Sequence, residues 1–577
     1  MSLDPVTLAV LKGRLEQIAD EMDATLFRSA FNPIIAEAHD ASHGLYDPET
    51  GATLVQGKSG LPIFVGAMAF AVAMVIDKAR RAGGPEDGDV YIFNDPYEGG
   101  THLSDFKLVR PFFRQGRLFC YLASVGHWHD VGGNVPGNYN PSATESFQEG
   151  MLIPPVKLYD RGELRPDVVA ILQANSRLPG SLYGDLNGQI NALDLGAGRL
   201  HALLDEYGGE AVRLAMAELR VRAATLLGSY IAELPDGAFA AEDWLDNDGI
   251  VDEPLKIALD LTISGERMVL DFSRSAPACA GPVNISRATT VASCYVALKH
   301  LFRDVPANAG VLDPIDFVIP EDSILNAKAP KPVGGYTETI LRIIDLVFRV
   351  FAEVAPERSN ACAYGTINAL SLAGHRADGR RWVMFSFFGG GHGGHPAGDG
   401  LNHGNAPIST ATIPPFEILE AAYPVRFTEW ALRPDSGGPG RHRGGLGAVY
   451  EIELLEASAD AFIFGERGRF APPGVLGGGA AALNRFSYQQ ADGFHTPPFA
   501  SKMVGIRLQR GQRVRLETPG GGGYGPARER LPEAVAEDVR RGFVSREAAL
   551  AVYGVALAAD GSIDAAATEQ LRRTVTA

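Results

Sequence analysis

The chain has 577 residues, 46% of them hydrophobic and 21% charged, with 52 Lys+Arg against 69 Asp+Glu and a formal net charge of −17. These are the proportions of a folded chain long enough for several domains, which excludes a disordered protein, and the acidic balance argues against a nucleic-acid partner. The 67 glycines show no period of three, so collagen is excluded and the glycines must serve turns, close backbone approaches or loops around a site.

The opening Met1-Ser2-Leu3-Asp4-Pro5 is neither basic nor followed by an apolar region, so no export is expected. From Pro5 to about Phe31, Leu8, Leu11, Leu15, Ile18, Met22 and Leu26 recur at helical spacing. Leu61 to Ile76 is uncharged and apolar but short of a bilayer span, so a buried core segment and no membrane association are expected. A strand-like run covers Asp89 to Phe93. Two extended runs follow, Leu103 to Phe113 and Leu118 to Val125, joined at Gln115-Gly116, and they read as a hairpin. Residues 185–234 read as helical, and short strands return over 236–330, with Leu259–Ile263 and Met268–Phe272 flanking Gly265. Helical pattern recurs near 287–303 and 338–354. Arg381 to Phe388 reads as a strand, residues 423–518 mainly as strands, and Pro532 to Gly554 as helix with Ser545 as an N-cap. The fold class expected is α+β (mixed α/β), multidomain, with several mixed or antiparallel sheets and packed helices. The segments expected are 1–235 with the hairpin, 236–380, a glycine-rich and mainly β 381–530, and a helical tail 531–577. Cys120, Cys279, Cys294 and Cys362 are scattered and form no disulfide or thiolate-metal pattern, which fits a cytoplasmic protein.

The richest chemistry lies in Asn94-Asp95-Pro96-Tyr97-Glu98-Gly99-Gly100-Thr101-His102-Leu103-Ser104-Asp105 and Gly126-His127-Trp128-His129-Asp130-Val131-Gly132-Gly133. A two-residue turn at Gln115-Gly116 sets Asp105 opposite Gly126, Ser104 opposite His127 and His102 opposite His129. Side chains at neighbouring cross-strand positions converge, but residues 102 and 105 of a strict strand face opposite ways. A bulge or loop at Thr101–Ser104 is therefore required. Two imidazoles with a carboxylate suit Mn²⁺, Zn²⁺ or Fe²⁺, with a further oxygen from Asp40 or Asp130. The plainer alternative is that these histidines hydrogen-bond at strand ends, and spacing does not rank His127 against His129.

A second cluster, Phe388-Gly389-Gly390-Gly391-His392-Gly393-Gly394-His395-Pro396 with Asp399 and His403, offers either anion contacts and ligands or a flexible surface or interface segment. Thr518-Pro519-Gly520-Gly521-Gly522-Gly523-Tyr524-Gly525 lacks the Lys-Ser/Thr of a nucleotide loop. Gly57-Lys58-Ser59 lacks the leading glycine, since position 52 is Ala52. No Gly-x-Ser-x-Gly or His-Glu-x-x-His motif is present.

Together these runs resemble the B subunit of the hydantoinase B/oxoprolinase family, whose relatives include N-methylhydantoinase and caprolactamase B subunits and the acetone and acetophenone carboxylases. The likeness is carried by Asp4-Pro5-Val6-Thr7, Phe31-Asn32-Pro33-Ile34-Ile35, the two histidine runs, Gln148-Glu149-Gly150, Gly281-Pro282-Val283-Asn284, Arg433-Pro434-Asp435-Ser436-Gly437-Gly438 and Thr518 to Gly525. It implies a divalent metal held by His102, Asp105 and His127, with Asp40 as a fourth ligand; beside these, His129 and Asp130 are candidates for orienting the ligands or transferring protons. Gly126-His127-Trp128-His129 departs from the adjacent histidines of many members, which leaves the role of His129 open. The resemblance also implies a separate A-type subunit with an actin-like ATPase fold that uses ATP to activate a small cyclic amide, in a hetero-oligomer such as α2β2. The function expected is ring-opening hydrolysis completed at the metal of this chain. The alternatives are a ketone carboxylase subunit and a scaffold with a structural metal.

Overall fold

The computed structural model describes residues 3–408 and 412–573. Twelve α-helices and four sheets lie among them, as the mixed α/β class requires. The chain divides into two compact units: residues 1–240, 257–343 and 408–414, and residues 241–256, 344–407 and 415–577.

The first unit is built on one antiparallel sheet. Its helices and strands, in chain order, begin with α1 (Pro5–Ser29), α2 (Pro33–Ala36), β1 (Ala41–Tyr46), β2 (Thr53–Gln56), α3 (Pro62–Arg81) and β3 (Val90–Phe93). There follow β4 (Asp105–Arg114), β5 (Arg117–His127), β6 (Val156–Asp160), β7 (Glu163–Leu164), α4 (Pro166–Ala174), α5 (Pro179–Tyr207) and α6 (Gly209–Ala232). The strand order is β2-β1-β5-β4-β3-β6-β7. Asp4 caps α1 by accepting from the N–H groups of Val6 and Thr7, Pro5 occupies the first turn, and the expected leucine stripe is buried. That stripe packs on α5, where Gly184, Gly188 and Gly196 recur every four or eight residues. A Cβ on Gly196 would stand 2.4 Å from Met22 Sδ and one on Gly188 2.9 Å from Leu26 Cδ1, so glycine lets the two helices close together.

The apolar run forms most of α3, which continues past Ile76 through the charged Asp77, Lys78, Arg80 and Arg81; the helix's 20 residues and composition would let it cross a membrane. Here it packs inside the fold on α7 (Arg287–Leu301), and more than half of its apolar window is buried. A smaller sheet pairs Leu255–Ser264 with Arg267–Asp271 antiparallel around Gly265, and Arg267–Asp271 with Ile315–Val318 parallel. The last helix to begin in this unit is α8 (Tyr336–Val354).

The second unit carries two antiparallel sheets. One contains Ala369–His375, Arg381–Ser386, Ser458–Phe464 and Lys502–Gln509; the other contains Val425–Leu432, Ala448–Leu454, Arg485–Gln490, Gly493–His495 and Arg513–Glu517. Leu370, Met384, Tyr450, Ile463 and Leu516 sit in their shared core. Ser545 caps the helix Arg546–Ala551 by accepting from Ala548 N–H, as its sequence position predicts.

Beside these sheets the glycine-rich segments form a lattice of main chains. Gly391 N–H donates to Pro519 O, Gly445 N–H to His392 O, Gly521 N–H to Gly445 O and Gly394 N–H to Gly522 O, at 2.7–3.1 Å. A Cβ on Gly391 would lie 1.8 Å from Gly445 O, one on Gly444 1.8 Å from Gly521 O, and one on Gly521 2.0 Å from His392 O. The glycines at 389–391, 393–394, 520–523 and 525 are buried, while His392, His395 and His403 are half-buried and Ala397 and Leu401 exposed. Much of their main-chain hydrogen bonding joins one segment to another.

Candidate metal centre

The hairpin turns at Gln115-Gly116, both with positive φ of 50° and 71°, as a tight two-residue connection requires. Near the turn Arg114 pairs with Arg117 and Phe113 with Leu118; a bulge at Phe112/Phe113 then shifts the register by one. Asp105 therefore stands directly opposite His127, where the unbroken hairpin placed Gly126. Thr101–Ser104 is an irregular turn, as the face argument demanded, and it carries His102 back over Asp105. Asn94 holds this turn: its Nδ2 donates to Leu103 O and Met151 O at 2.7 and 2.8 Å, and its Oδ1 accepts from Ile153 N–H. Gly99, at φ 101°, packs so tightly on α3 that a Cβ would lie 2.5 Å from Ala71 N.

The result is a compact donor set. His102 Nε2 lies 3.0 Å from Asp105 Oδ1 and 3.1 Å from His127 Nδ1, and His127 Nδ1 lies 3.2 Å from Asp105 Oδ1. Among the described residues this is the one group of three such side chains whose ligand atoms converge, and all three are buried. Donors about 2.1 Å from a shared centre stand about 3.0 Å apart at right angles and about 3.4 Å at the tetrahedral angle, so the edges fit a first-row divalent ion. Asp105 Oδ2 accepts from Thr101 Oγ1, which fixes the carboxylate's orientation. Asp40 follows His39, whose φ of 61° turns the chain between α2 and β1, and the main-chain oxygen of Asp40 accepts from His127 N–H. Its carboxylate stands 4.0 Å from His127 Nδ1, outside the tight triad and on a side that keeps some exposure.

The electrostatics separate the two carboxylates. Burial opposes ionisation of Asp105, but His102 and His127 more than offset it and hold the group well below the usual carboxylate range. Burial raises Asp40 to about 7, His127 opposing and the charge of Asp105 adding to the rise. Lys107, two residues beyond Asp105 and on its face of β4, is buried with no hydrogen-bond partner for its Nζ. Burial lowers its pKa to about 8 against the pull of Asp105 and Asp95.

His129 is buried beyond the end of β5 and outside the converging group. Asp130 is committed elsewhere: it accepts from the N–H groups of Gly132, Gly137 and Arg177 and pairs with the Arg177 guanidinium at 3.0 Å. That makes it an anchor for the Gly132-Gly133 turn. In the second histidine cluster, His392 Nε2 donates to Asn405 O, His395 Nδ1 accepts from Ala397 N–H, and His403 Nε2 accepts from Trp430 Nε1. Asp399 pairs with Arg530 at 2.6 and 2.7 Å. These four side chains do not converge on a ligand site.

Sequence reasoning missed the surroundings. Tyr336 packs its ring 4.7 Å from that of His102, and Tyr139 lies 5.6 Å from His102 and 6.3 Å from His127. Tyr336 is remote in sequence, and neither tyrosine sits in a recognisable motif. Also unseen was a chain of buried polar groups on the α1/α5 side of the sheet. His43 Nδ1 meets Asp23 Oδ1 at 2.7 Å and its Nε2 meets Ser124 Oγ at 2.9 Å; Gln189 donates to Ser124 Oγ and accepts from Trp128 Nε1. The order Ser-His-Asp is that of a nucleophilic triad, but all three residues are fully buried and no substrate reaches them. The chain ties β5 to both helices.

Comparison with known proteins follows the same lines. The caprolactamase subunit beta of Pseudomonas jessenii is 32% identical over 591 residues, spanning 99% of each chain. The 5-oxoprolinase of Dictyostelium discoideum is 29% identical over 528 residues, 91% of this chain and 40% of that protein. The crystal structure of the ATP-dependent caprolactamase from Pseudomonas jessenii superposes with a TM-score of 0.89 at 31% identity, covering 99% of this chain and 100% of that one. The model of the family described as hydantoinase B/oxoprolinase matches residues 4–527, and the chain belongs to that family.

Proposed function

We propose that this chain is the metal-bearing B subunit of an ATP-dependent cyclic amidohydrolase. It completes ring opening of a hydantoin, oxoproline or lactam after a separate A-type subunit, with an actin-like ATPase fold, has activated the substrate at the cost of ATP. One observation carries the reading: three ligand atoms at 3.0–3.2 Å in a chain 32% identical to a caprolactamase subunit beta. His102, Asp105 and His127 would hold a divalent ion, Mn²⁺, Zn²⁺ or Fe²⁺, with Asp40, 4.0 Å from His127 Nδ1, as the fourth ligand. A bound ion there supplies Lewis-acid polarisation of a carbonyl and lowers the pKa of a water towards neutrality.

The protein's own groups do the rest. Asp105, kept ionised, fixes the charge of the donor set, and Thr101 fixes its orientation. Asp130 with Arg177 anchors the Gly132-Gly133 turn, and the role assigned to His129, its neighbour in sequence, is proton transfer. A cyclic amide resists hydrolysis because resonance shields its carbonyl; activation at the partner removes that protection before the ring reaches this centre.

Elemental analysis of the purified chain tests the site: about one equivalent of metal is expected, lost in His102→Ala and Asp105→Ala together with turnover in the reconstituted complex. Full metal content and turnover in those variants would overturn it. Incubation with labelled bicarbonate separates hydrolysis from carboxylation, since label in the product means a carboxylase. A metal-stripped chain that still supports turnover would mark the ion as structural.

A further inference from the structure

His127 is gripped by its main chain as well as by its place opposite Asp105. Its N–H donates to Asp40 O at 3.1 Å, and its carbonyl accepts from Asn32 Nδ2 at 2.9 Å. The segment from Asn32 to Asp40 is braced within itself too. Asn32 Oδ1 accepts from Ile34 N–H at 2.7 Å, and Ile34 O accepts from Asp40 N–H at 3.0 Å. The four bonds form a closed circuit, from Asn32 to Ile34, to Asp40, to His127 and back to Asn32. One member, Asp40, carries the carboxylate that stands 4.0 Å from His127 Nδ1.

The chemistry of position 32 is specific. Serine, threonine or aspartate would also cap α2, but closing the circuit needs one side chain that both accepts from Ile34 and donates to His127. An amide does both. Asn32 is fully buried, and its N–H and that of Phe31 donate to Asp185 Oδ1 at 3.2 and 2.7 Å. Asp185 lies on α5 and is itself fully buried. Burial raises its carboxyl to about 6, and the Phe31 and Asn32 N–H groups and the Asn32 side chain oppose the rise. The groups that favour its charge thus belong to this corner of the chain. One turn along α5, Gln189 donates to Phe106 O, next to Asp105, and accepts from Trp128 Nε1, next to His127. Helix α5 therefore reaches the Asn32 corner and both strand ends of the hairpin.

We infer that Asn32 and Asp185 are positioning residues of the metal centre. Asp185 anchors the chain at Phe31-Asn32, and Asn32, clamped on the His127 carbonyl, holds Asp40 against the triad. The inference rests on the metal reading above and adds what places the fourth ligand. Between Asn32 and Asp40 lie only the four residues of α2 and the turn that ends at His39, so a shift at Asn32 is passed on to the Asp40 carboxylate. Groups that orient a ligand in this way typically change metal affinity 10–100-fold without touching the ion.

The test titrates the full chain with Co²⁺, reading affinity by chelator competition and coordination by the visible spectrum. Asn32→Ser keeps an oxygen to cap α2 and loses the donor to His127. It should keep the cooperative unfolding transition, bind Co²⁺ about 10-fold more weakly and show the spectrum of Asp40→Ala. Adding Asn32→Ser to Asp40→Ala should weaken binding no further, because a residue that acts through Asp40 then has nothing left to position. Asp185→Ala should behave like Asn32→Ser, whereas Asp185→Asn, whose amide oxygen can still accept from both N–H groups, should stay close to wild type. Wild-type affinity in either Asn32→Ser or Asp185→Ala overturns the inference. So do losses that multiply with that of Asp40→Ala, which mark a general structural role. If Asn32→Ser does not fold, Asp185→Ala is read in the same cycle and decides; failure of both to fold would make the corner a folding element and overturn the inference as well. No Co²⁺ uptake by the wild type, or full affinity in Asp40→Ala, overturns the metal reading and this inference with it, and is seen before Asn32 is touched.

Discussion

The hairpin that ends at Asp105 and His127 and the lattice around Gly391 and Gly521 are both rich in glycine and histidine, and they use them in opposite ways. In the hairpin, glycines at turns free the chain to bend so that side-chain atoms of His102, Asp105 and His127 meet within 3.2 Å. In the lattice, glycines remove side chains so that main chains meet, and the histidines there hydrogen-bond to partners they do not share. A His/Gly-rich stretch therefore has two physical meanings. Which applies depends on whether a second segment brings acceptor side chains or bare backbone to it.

The largest expected effect attacks the lattice. Gly391→Ala places a methyl 1.8 Å from Gly445 O, and Gly444→Ala places one 1.8 Å from Gly521 O. The obstacle is backbone on every side, so no rotamer relieves it. Loss of more than about 4 kcal/mol is expected, enough to abolish the cooperative unfolding transition of the second unit in thermal denaturation. A variant that melted like the wild type would show that the lattice is loose and the comparison false.

The centre should break differently. Asp105→Asn keeps the volume and removes the charge that balances two imidazoles and a cation. Metal affinity is expected to fall at least about 100-fold, read by chelator competition, with the unfolding transition nearly unchanged. His395→Ala, in the other histidine cluster, should leave metal content at the wild-type level. If the two variants lost metal alike, the separation of roles drawn here would fail.

A smaller effect sharpens the account of how the centre is held. Burial raises the carboxyl of Glu149 to about 8 from its ordinary 4.5, the Val333 and Gly334 N–H groups opposing the rise. A folded-state pKa above the unfolded value means a stability contribution complete below pH 4.5 and lost as pH climbs through 8. The loss amounts to a few kcal/mol on the order of the shift. Glu149→Gln cannot ionise, so its melting temperature relative to wild type should improve steadily between pH 5 and pH 8.5. A constant offset across that range would mean that Glu149 is charged throughout.

Much of this was legible before folding. The stripe from Leu8 to Leu26, the hairpin turn at Gln115-Gly116 and the need for an irregular turn before Asp105 all follow from local period and turn chemistry. The register did not, because the bulge at Phe112/Phe113 leaves no mark in side-chain type. It moved His127 from beside Asp105 to directly opposite it. Tyr336 was invisible because nothing near it in sequence signals a contact with His102. The discontinuous units were hidden for the same reason: chain order does not report which segments share a core. The lattice was legible only as composition, since spacing within one strand cannot show that its neighbours are also glycine.

The smallest effect comes from two glycines of α5 that differ only in the face they occupy. Gly196 faces α1, where a Cβ would press to 2.4 Å from Met22 Sδ, whereas Gly198 is exposed and would meet nothing within 4 Å. Glycine in a helix interior costs roughly 0.5–1 kcal/mol relative to alanine, mostly as backbone entropy. Gly198→Ala should recover that amount and raise the melting temperature slightly. Gly196→Ala gains the same entropy but must displace a thioether from a packed seam, and its net effect should be destabilising by about 1–3 kcal/mol. Opposite signs two residues apart, measured by denaturant midpoint at constant slope, would show that glycine here is placed for close packing. Equal signs would mean that α1 and α5 have room to spare, and that the seam, unlike the lattice, is not held by the absence of a side chain.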